Sequence, residues 1–220
     1  MKPIANIVSV DPEQPDPTII RQAAAAIRSG GLVVFPTYGL YGLGADPFNP
    51  QAVQRVFQIK GRAADKPILV LISQISDLNR VAIVPHAMAR HLMYTFWPGK
   101  VTFILPARTD LPPALVGQNR KIGVRLVAHP VSAALINALA GPLTGTSANI
   151  SGAGGCATVQ QIDRQLRSGV DLVLDSGPLA GGLGSTIVDV TGTDPIILRE
   201  GAVPAAALMY AFKGHGKNVL

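Results

Sequence analysis

Asn49-Pro50-Gln51-Ala52-Val53-Gln54-Arg55-Val56-Phe57-Gln58-Ile59-Lys60-Gly61-Arg62-Ala63-Ala64-Asp65-Lys66-Pro67-Ile68-Leu69-Val70-Leu71-Ile72 is the stretch from which the fold can be read. Asn49 is a good N-cap residue, and Pro50 suits the first helical position, where a missing N–H costs nothing. Val53, Val56 and Phe57 recur at i, i+3 and i+4 on one apolar face, which predicts a helix that delivers Lys60 at its end. Directly after Lys66-Pro67, Ile68–Ile72 is a short continuous apolar run, the pattern of a strand buried on both faces. A helix followed at once by a buried strand is the unit of an α/β domain.

The same alternation extends in both directions. Asp16-Pro17 opens a helix with Ile20, Ala23, Ala24 and Ile27 on one face, closed by Gly30-Gly31, and Leu32–Phe35 follows as a buried strand. Downstream, a helix is expected over Ala87–Phe96 and a strand over Val101–Leu105. Ile122, Val124 and Leu126 alternate with Gly123 and Arg125, the signature of a half-buried strand, so Arg125 faces away from the core side. A helix near Val131–Leu139 comes next. Thr158 with Gln161 forms a capping box for a helix reaching Arg167. Strands at Leu172–Leu174, Thr186–Val190 and Ile196–Leu198 complete the pattern. No low-complexity linker or internal repeat interrupts it. The expectation is one α/β domain over residues 15–205, built on a large, twisted, mixed sheet flanked by helices. A basic tail over 206–220 follows, beginning as a helix at Ala205 and carrying Lys213, His215 and Lys217.

The 220 residues give room for a sizeable core. Although 48% of them are hydrophobic, no apolar run approaches the roughly 20 residues of a membrane span. Met1-Lys2-Pro3-Ile4 has no apolar segment of the kind a secretory leader carries. The single cysteine, Cys156, lies in a Gly-rich loop and can form no internal disulfide, which suits a reducing, cytoplasmic setting. A formal charge of +6 favours polyanionic partners, nucleotides or RNA. Yet no run of five like charges and no interleaving of basic and aromatic residues marks a single-strand stacking platform. A focused small-anion site accounts for the charge as well as an RNA surface does.

Lys60, Arg62 and Lys66 are read either as a solvated loop or as such a site. Three cations in a short kinked segment repel one another unless an anion lies between them, and here a helix and a core strand can aim them. Ser147-Ala148-Asn149-Ile150-Ser151-Gly152 supplies hydroxyl, amide and bare backbone N–H donors, again suited to phosphates. Thr37-Tyr38-Gly39-Leu40-Tyr41-Gly42-Leu43-Gly44 follows a strand, where ligand-binding loops of α/β folds lie. It is neither a Walker A loop nor a G-x-G-x-x-G, and its glycines could equally serve a tight turn. His86, His91, His129 and His215 are scattered, and no carboxylate pair or His/Cys cluster forms a dedicated metal site.

Together these motifs carry a resemblance. Pro36-Thr37 with Tyr41-Gly42-Leu43-Gly44, Lys60-Gly61-Arg62 with Lys66-Pro67, Trp97-Pro98-Gly99, Val124-Arg125, Ser147–Gly152, Ser185–Asp189 and Leu198-Arg199-Glu200-Gly201 occur in order across residues 15–205. They resemble the threonylcarbamoyl-AMP synthase family, the YrdC-like proteins of tRNA modification, in its short bacterial form. The resemblance implies a YrdC-like α/β fold with a basic concave cavity, and synthesis of L-threonylcarbamoyladenylate from L-threonine, bicarbonate and ATP with release of pyrophosphate. Mg²⁺ would arrive with the ATP. The product would feed a tRNA threonylcarbamoyl transferase complex, with contact between tRNA and the basic surface as a further expectation. Residue by residue, Arg62, Lys66, Ser147 and Arg199 would contact ATP with Asn149 beside them. Lys60, Arg62 and Lys66 would neutralise phosphate charge as the catalytic cations, and Thr37, Arg125 and Ser185 would hold threonine.

Two departures stand out. Tyr38-Gly39-Leu40 replaces an acidic-Thr-Val segment, and Lys100 replaces a proline after the Trp-Pro-Gly turn. Two alternatives stay open: a nonenzymatic RNA-binding module in tRNA or ribosome maturation, motivated by the basic charge, and a paralogue acting on another carbamoyl-type substrate, motivated by the altered Tyr38-Gly39-Leu40.

Overall fold

The computed structural model describes residues 6–116 and 119–215. Within them one sheet is formed by β1 (Asn6–Ser9), β2 (Val33–Pro36), β3 (Tyr41–Gly44), β4 (Leu69–Ile72), β5 (Val101–Pro106), β6 (Lys121–Leu126), β7 (Leu143–Ser147), β8 (Leu172–Asp175), β9 (Thr186–Asp189) and β10 (Ile196–Arg199). Their spatial order is β1-β8-β2-β3-β7-β4-β6-β5-β9-β10. Pairs β1/β8, β2/β8, β4/β6 and β5/β9 are parallel and the other pairs antiparallel, so the sheet is mixed. The helices are α1 (Pro17–Arg28), α2 (Pro50–Lys60), α3 (Ala87–Phe96), α4 (Pro113–Val116), α5 (Pro130–Leu139), α6 (Arg164–Gly169) and α7 (Ala205–His215).

Local chemistry explains α2 and the loop that follows it. Asn49 Oδ1 accepts from the backbone N–H groups of Gln51 and Ala52, so two otherwise orphaned donors of α2 are satisfied. Gly61 stops the helix in the left-handed region at φ 57°, and Arg62 N–H closes back onto the Phe57 carbonyl. Beyond the loop, β4 is buried between β6 and β7.

Two expectations are corrected. Thr37–Gly44 is not all loop: residues 37–40 make a turn and Tyr41–Gly44 folds back as β3, paired antiparallel with β2. A glycine-rich strand is stable here because the Phe35 ring lies across Gly42 and Gly44 and fills the space their side chains lack. The helix expected from Thr158 to Arg167 is broken. Gln161 Oε1 does accept from Thr158 N–H, but Ile162 is extended, and Asp163 caps α6 as a separate helix.

The sheet buries both faces. On one, Val34, Leu43, Val70, Phe103 and Val124 pack with α2, α3 and Leu208 of α7. Leu208 is buried, so the segment expected as a tail is a packed helix as far as His215; Lys217 lies outside the described residues. On the other face, Val33, Phe35, Leu71, Leu143 and Leu172 meet Ile20, Ala24 and Ile27 of α1 and Val131, Leu135 and Ile136 of α5. Among the described residues no helix is long and apolar enough to cross a membrane.

A Cβ added at Gly44 would lie 2.7 Å from Phe35 Cε1 and 2.9 Å from both Leu143 Cγ and the Thr144 carbonyl oxygen. The backbone oxygen cannot swing away. Gly44→Ala is therefore expected to lower stability by about 1–3 kcal/mol, read as a lower urea midpoint at unchanged slope. An unchanged midpoint would mean that the β2–β3 hairpin shifts freely.

Candidate functional site

A cavity of about 1330 Å³ opens on the sheet face that α1 and α5 leave bare. Its floor includes Leu71 of β4, Thr102 and Ile104 of β5, Gly123 and Arg125 of β6, Gly145 of β7, and Ile187 and Asp189 of β9. Strand alternation places them there: Val101, Phe103, Leu105, Ile122 and Val124 are buried on the opposite face. Glycine keeps the floor low. A Cβ at Gly145 would meet Leu71 Cγ at 2.7 Å, and one at Gly123 would meet Leu69, Thr102 and Ile104 within 3.3 Å. Loops containing Thr37, Arg62, Gly155 and Gly182 rim the opening.

The three cations read together in the sequence are separated. Lys60 is buried, and its ammonium donates to the carbonyl oxygens of Ser147 at 2.5 Å and Asn149 at 2.6 Å. Burial first, and the neighbouring Arg62 second, pull its pKa down to about 8. Lys66 stands exposed on the loop at the cavity's rim, between Asp65 and Pro67, which line the cavity. Of the three, Arg62 lines the cavity, and its guanidinium also donates to the carbonyls of Lys66 and Pro67, fixing the loop's curvature. Burial holds its pKa below the ordinary arginine value. Without ligand the three do not meet at one point: a lysine at the end of an amphipathic helix can turn inward when unpaired loop carbonyls wait there.

Those carbonyls belong to the Ser-Ala-Asn segment. Ser147 is exposed at the end of β7 and lines the cavity. The following backbone is sewn down by Ala148 N–H to Tyr41 O, Ser151 N–H to Lys60 O and the Lys60 ammonium. Asn149 turns inward as well. Its Nδ2 donates to the carbonyls of Ile150 and Ala153, while its Oδ1 is buried with no partner among the described residues. Asn149 shapes this loop, and Ser147 is the member of the pair that faces the cavity.

The residues expected around threonine do come together. Thr37, Arg125 and Ser185 all line the cavity, with Arg199 beside them. Thr37 Oγ1 donates to Leu40 O, closing the turn after β2. Ser185 is buried and shares a 2.7 Å hydrogen bond with Thr102. Arg199 donates to the Ser185 carbonyl. Arg125 is different: half-buried, it has neither a hydrogen bond nor an ion pair among the described residues. Burial, then Arg199, pull its pKa down to about 10, so it stays charged at neutral pH. Two guanidiniums thus face one cavity, an arrangement whose chemistry suits an anion.

Sequence reasoning missed Thr102, Lys121 and Asp189. The period-2 signal could have found them, since Lys121 falls on the Gly123–Arg125 face and Thr102 between two buried apolar residues. Lys121 and Asp189 pair at 2.8 Å. Burial pushes the Asp189 carboxyl up, but hydrogen bonds from Lys121 and Thr191 outweigh it and hold it below the usual range. Among the described residues no group of three or more His, Cys, Asp or Glu side chains could hold a metal ion.

Residues 25–201 match a family model for Sua5, YciO and YrdC, described as "Telomere recombination". The threonylcarbamoyl-AMP synthase of Pyrococcus abyssi is 36% identical over 185 residues, 84% of this chain and 54% of that protein, so this chain spans about half the length of that relative. The threonylcarbamoyl-AMP synthase of Nitrosococcus oceani is 38% identical over 155 residues, 70% of this chain and 84% of that protein. The crystal structure of P. abyssi Sua5 complexed with L-threonine superposes with a TM-score of 0.88 at 34% identity, covering 93% of this chain and 60% of that one. A match over most of the chain, joined to the same fold, settles the kinship: the chain belongs to the Sua5/YciO/YrdC family.

Proposed function

We propose that this chain is an L-threonylcarbamoyladenylate synthase, a nucleotidyltransferase that makes threonylcarbamoyl-AMP and pyrophosphate from L-threonine, bicarbonate and ATP. The observation that carries the reading is Arg125, a charged guanidinium with no partner among the described residues, beside Arg199 on the floor of a large cavity. Its planar fork suits a carboxylate. Single-ligand pockets span about 300–1,000 Å³, and 1330 Å³ leaves room for a nucleotide and an amino acid together. A named synthase relative and a related structure with L-threonine bound support the same reading.

The chemistry asks for positioning and charge neutralisation. The threonine amine adds to bicarbonate to give the N-carbamate and water. A carbamate oxygen then attacks the α-phosphorus in line, and the bond to the β-phosphate oxygen breaks to release pyrophosphate. Arg125 holds the threonine carboxylate, with Thr37 and Ser185 beside it. Arg62, Ser147 and Arg199 face the nucleotide, Lys66 reaches its phosphates from the rim, and Lys60 and Asn149 hold the loop that presents Ser147. Mg²⁺ comes as part of the ATP substrate. The product passes to a tRNA threonylcarbamoyl transferase complex in the cytoplasm, and the basic surface is available to tRNA.

The test is pyrophosphate release from ATP and bicarbonate with and without L-threonine. Threonine-dependent release is expected, reduced about tenfold in Ser147→Ala by loss of one donor to a charged group. Release unaffected by threonine but restored by another amino acid would identify a paralogue with a different acceptor. No release, with tight and steeply salt-dependent tRNA binding, would replace the enzyme with an RNA-binding module.

A further inference from the structure

Two hydroxyls meet on the cavity floor. Thr102 on β5 and Ser185, just ahead of β9, both line the cavity and are both buried, with their hydroxyl oxygens 2.7 Å apart. Strand pairing brings them together: Val101 is matched with Thr186 in the parallel β5/β9 register, and Thr186 N–H donates to Lys100 O. Two hydroxyls carry two protons, and the bond between them uses one. The other proton has no acceptor among the described residues. A buried donor left in this way is costly unless a ligand supplies the acceptor.

The backbone around Ser185 is fixed. Its carbonyl accepts from Arg199 Nη2 at 2.6 Å. Gly201 packs so closely that a Cβ there would stand 2.6 Å from the Ser185 carbonyl carbon. Next along the chain, Thr186 Oγ1 accepts from the N–H groups of Gly201 and Val203 and donates to Val203 O. What remains free at Ser185 is the side-chain rotor, and Thr102 holds that. The Thr102 methyl lies over Gly123, 3.2 Å from where a Cβ would stand. A β-branched side chain has few χ1 choices, so with the methyl seated there the hydroxyl is turned toward Ser185.

We infer that Thr102 is a positioning residue of the amino-acid site: it donates to Ser185 Oγ and so commits the Ser185 proton to the substrate carboxylate. The inference rests on the amino-acid-binding reading above. Within the pair alone either hydroxyl can donate. An anion on Arg125 sets the direction, because Ser185 turns its proton to the anion and leaves its oxygen to take the proton of Thr102. Arg199, which holds the Ser185 carbonyl, is also the charge that acts on Arg125, so the serine and both guanidiniums belong to one site. Successive hydrogen bonds in such a chain polarise one another, and the Thr102 bond strengthens the contact that Ser185 makes.

The experiment is calorimetric binding of L-threonine and, separately, of ATP to wild type, Thr102→Val, Thr102→Ser, Ser185→Ala and the Thr102→Val/Ser185→Ala double variant. Valine keeps the branched shape and removes the hydroxyl. Thr102→Val should weaken L-threonine about fivefold, the loss of one neutral hydrogen bond felt through Ser185, and leave ATP unchanged. Thr102→Ser, which keeps the hydroxyl, should bind L-threonine within about twofold of wild type. Ser185→Ala should weaken L-threonine about tenfold, and the double variant should lose no more than that, because Thr102 acts through the serine. Equal affinity of wild type and Thr102→Val for L-threonine would overturn the inference, and so would Thr102→Ser binding as weakly as Thr102→Val. Equal losses for L-threonine and ATP would reduce Thr102 to a structural side chain and overturn it as well. Losses that add in the double variant would also overturn it, since Thr102 would then reach the ligand itself. A wild-type chain that binds no L-threonine would overturn the amino-acid reading and this inference together, an outcome distinct from the others.

Discussion

Lys60→Met is expected to cut threonine-dependent pyrophosphate release at least about 100-fold, because a displacement of an ångström at a site can cost that much. The lysine is buried and its ammonium serves the Ser147 and Asn149 carbonyls. Methionine fills similar space but donates nothing, so two buried acceptors lose their partner. Each unmet acceptor costs about 1–3 kcal/mol, partly offset because no charge is buried any longer. A net loss of about 2 kcal/mol in urea unfolding should accompany the activity loss. The larger effect is on geometry, since the carbonyl of Ser147 is tethered within the same residue that presents its hydroxyl to the cavity. The pH dependence separates the two effects. With its pKa near 8, the ammonium is present below that value and neutral above it, so wild-type activity should fall as pH rises through about 8. Stability moves the other way. The folded-state pKa lies below the ordinary 10.5, so the unfolded chain binds the proton more tightly, and this group makes stability rise between about pH 8 and 10.5. Activity within threefold of wild type in Lys60→Met would sink the tether.

How much of this was legible in the sequence depends on the range of the forces involved. The caps and face of α2 are set within four residues, and the sequence predicts them closely. The mixed α/β architecture follows from hydrophobic period alone. β3 does not, because Tyr-Gly-Leu-Gly has no intrinsic strand preference and becomes a strand only under the Phe35 ring. The inward turn of Lys60 could not be seen either, since its acceptors lie on a distant segment brought near by β7. Arg125 was legible in direction, through its alternation with Val124 and Leu126, but its lack of a partner is a property of the assembled cavity. The contact between Tyr38 and Lys100 is of the same kind: each was visible as an oddity, and only the fold joins them.

Arg125→Met should separate function from stability by moving them in opposite directions. In the folded chain the guanidinium carries a cost, since burial and Arg199 pull its pKa from the ordinary arginine value down to about 10. That penalty applies fully below about pH 10, because the charged form is the one disfavoured by folding. Removing the charge should therefore stabilise the ligand-free protein, by on the order of 1–3 kcal/mol after allowing for the part of the side chain open to the cavity. Methionine retains much of the apolar stem's packing, so little opposes this gain. The opposite holds for the amino acid. Truncating one partner of a desolvated charge pair costs about 2–5 kcal/mol, so kcat/KM for L-threonine should fall several hundred-fold. L-Threonine at 100 times its dissociation constant should raise wild-type stability by about 2.7 kcal/mol and leave the variant unmoved. A side chain kept for the fold alone would give the reverse, with stability lost and threonine binding retained in whatever remained folded. Raised stability together with lost threonine response is the combination expected of a charge that the fold tolerates because the substrate compensates it.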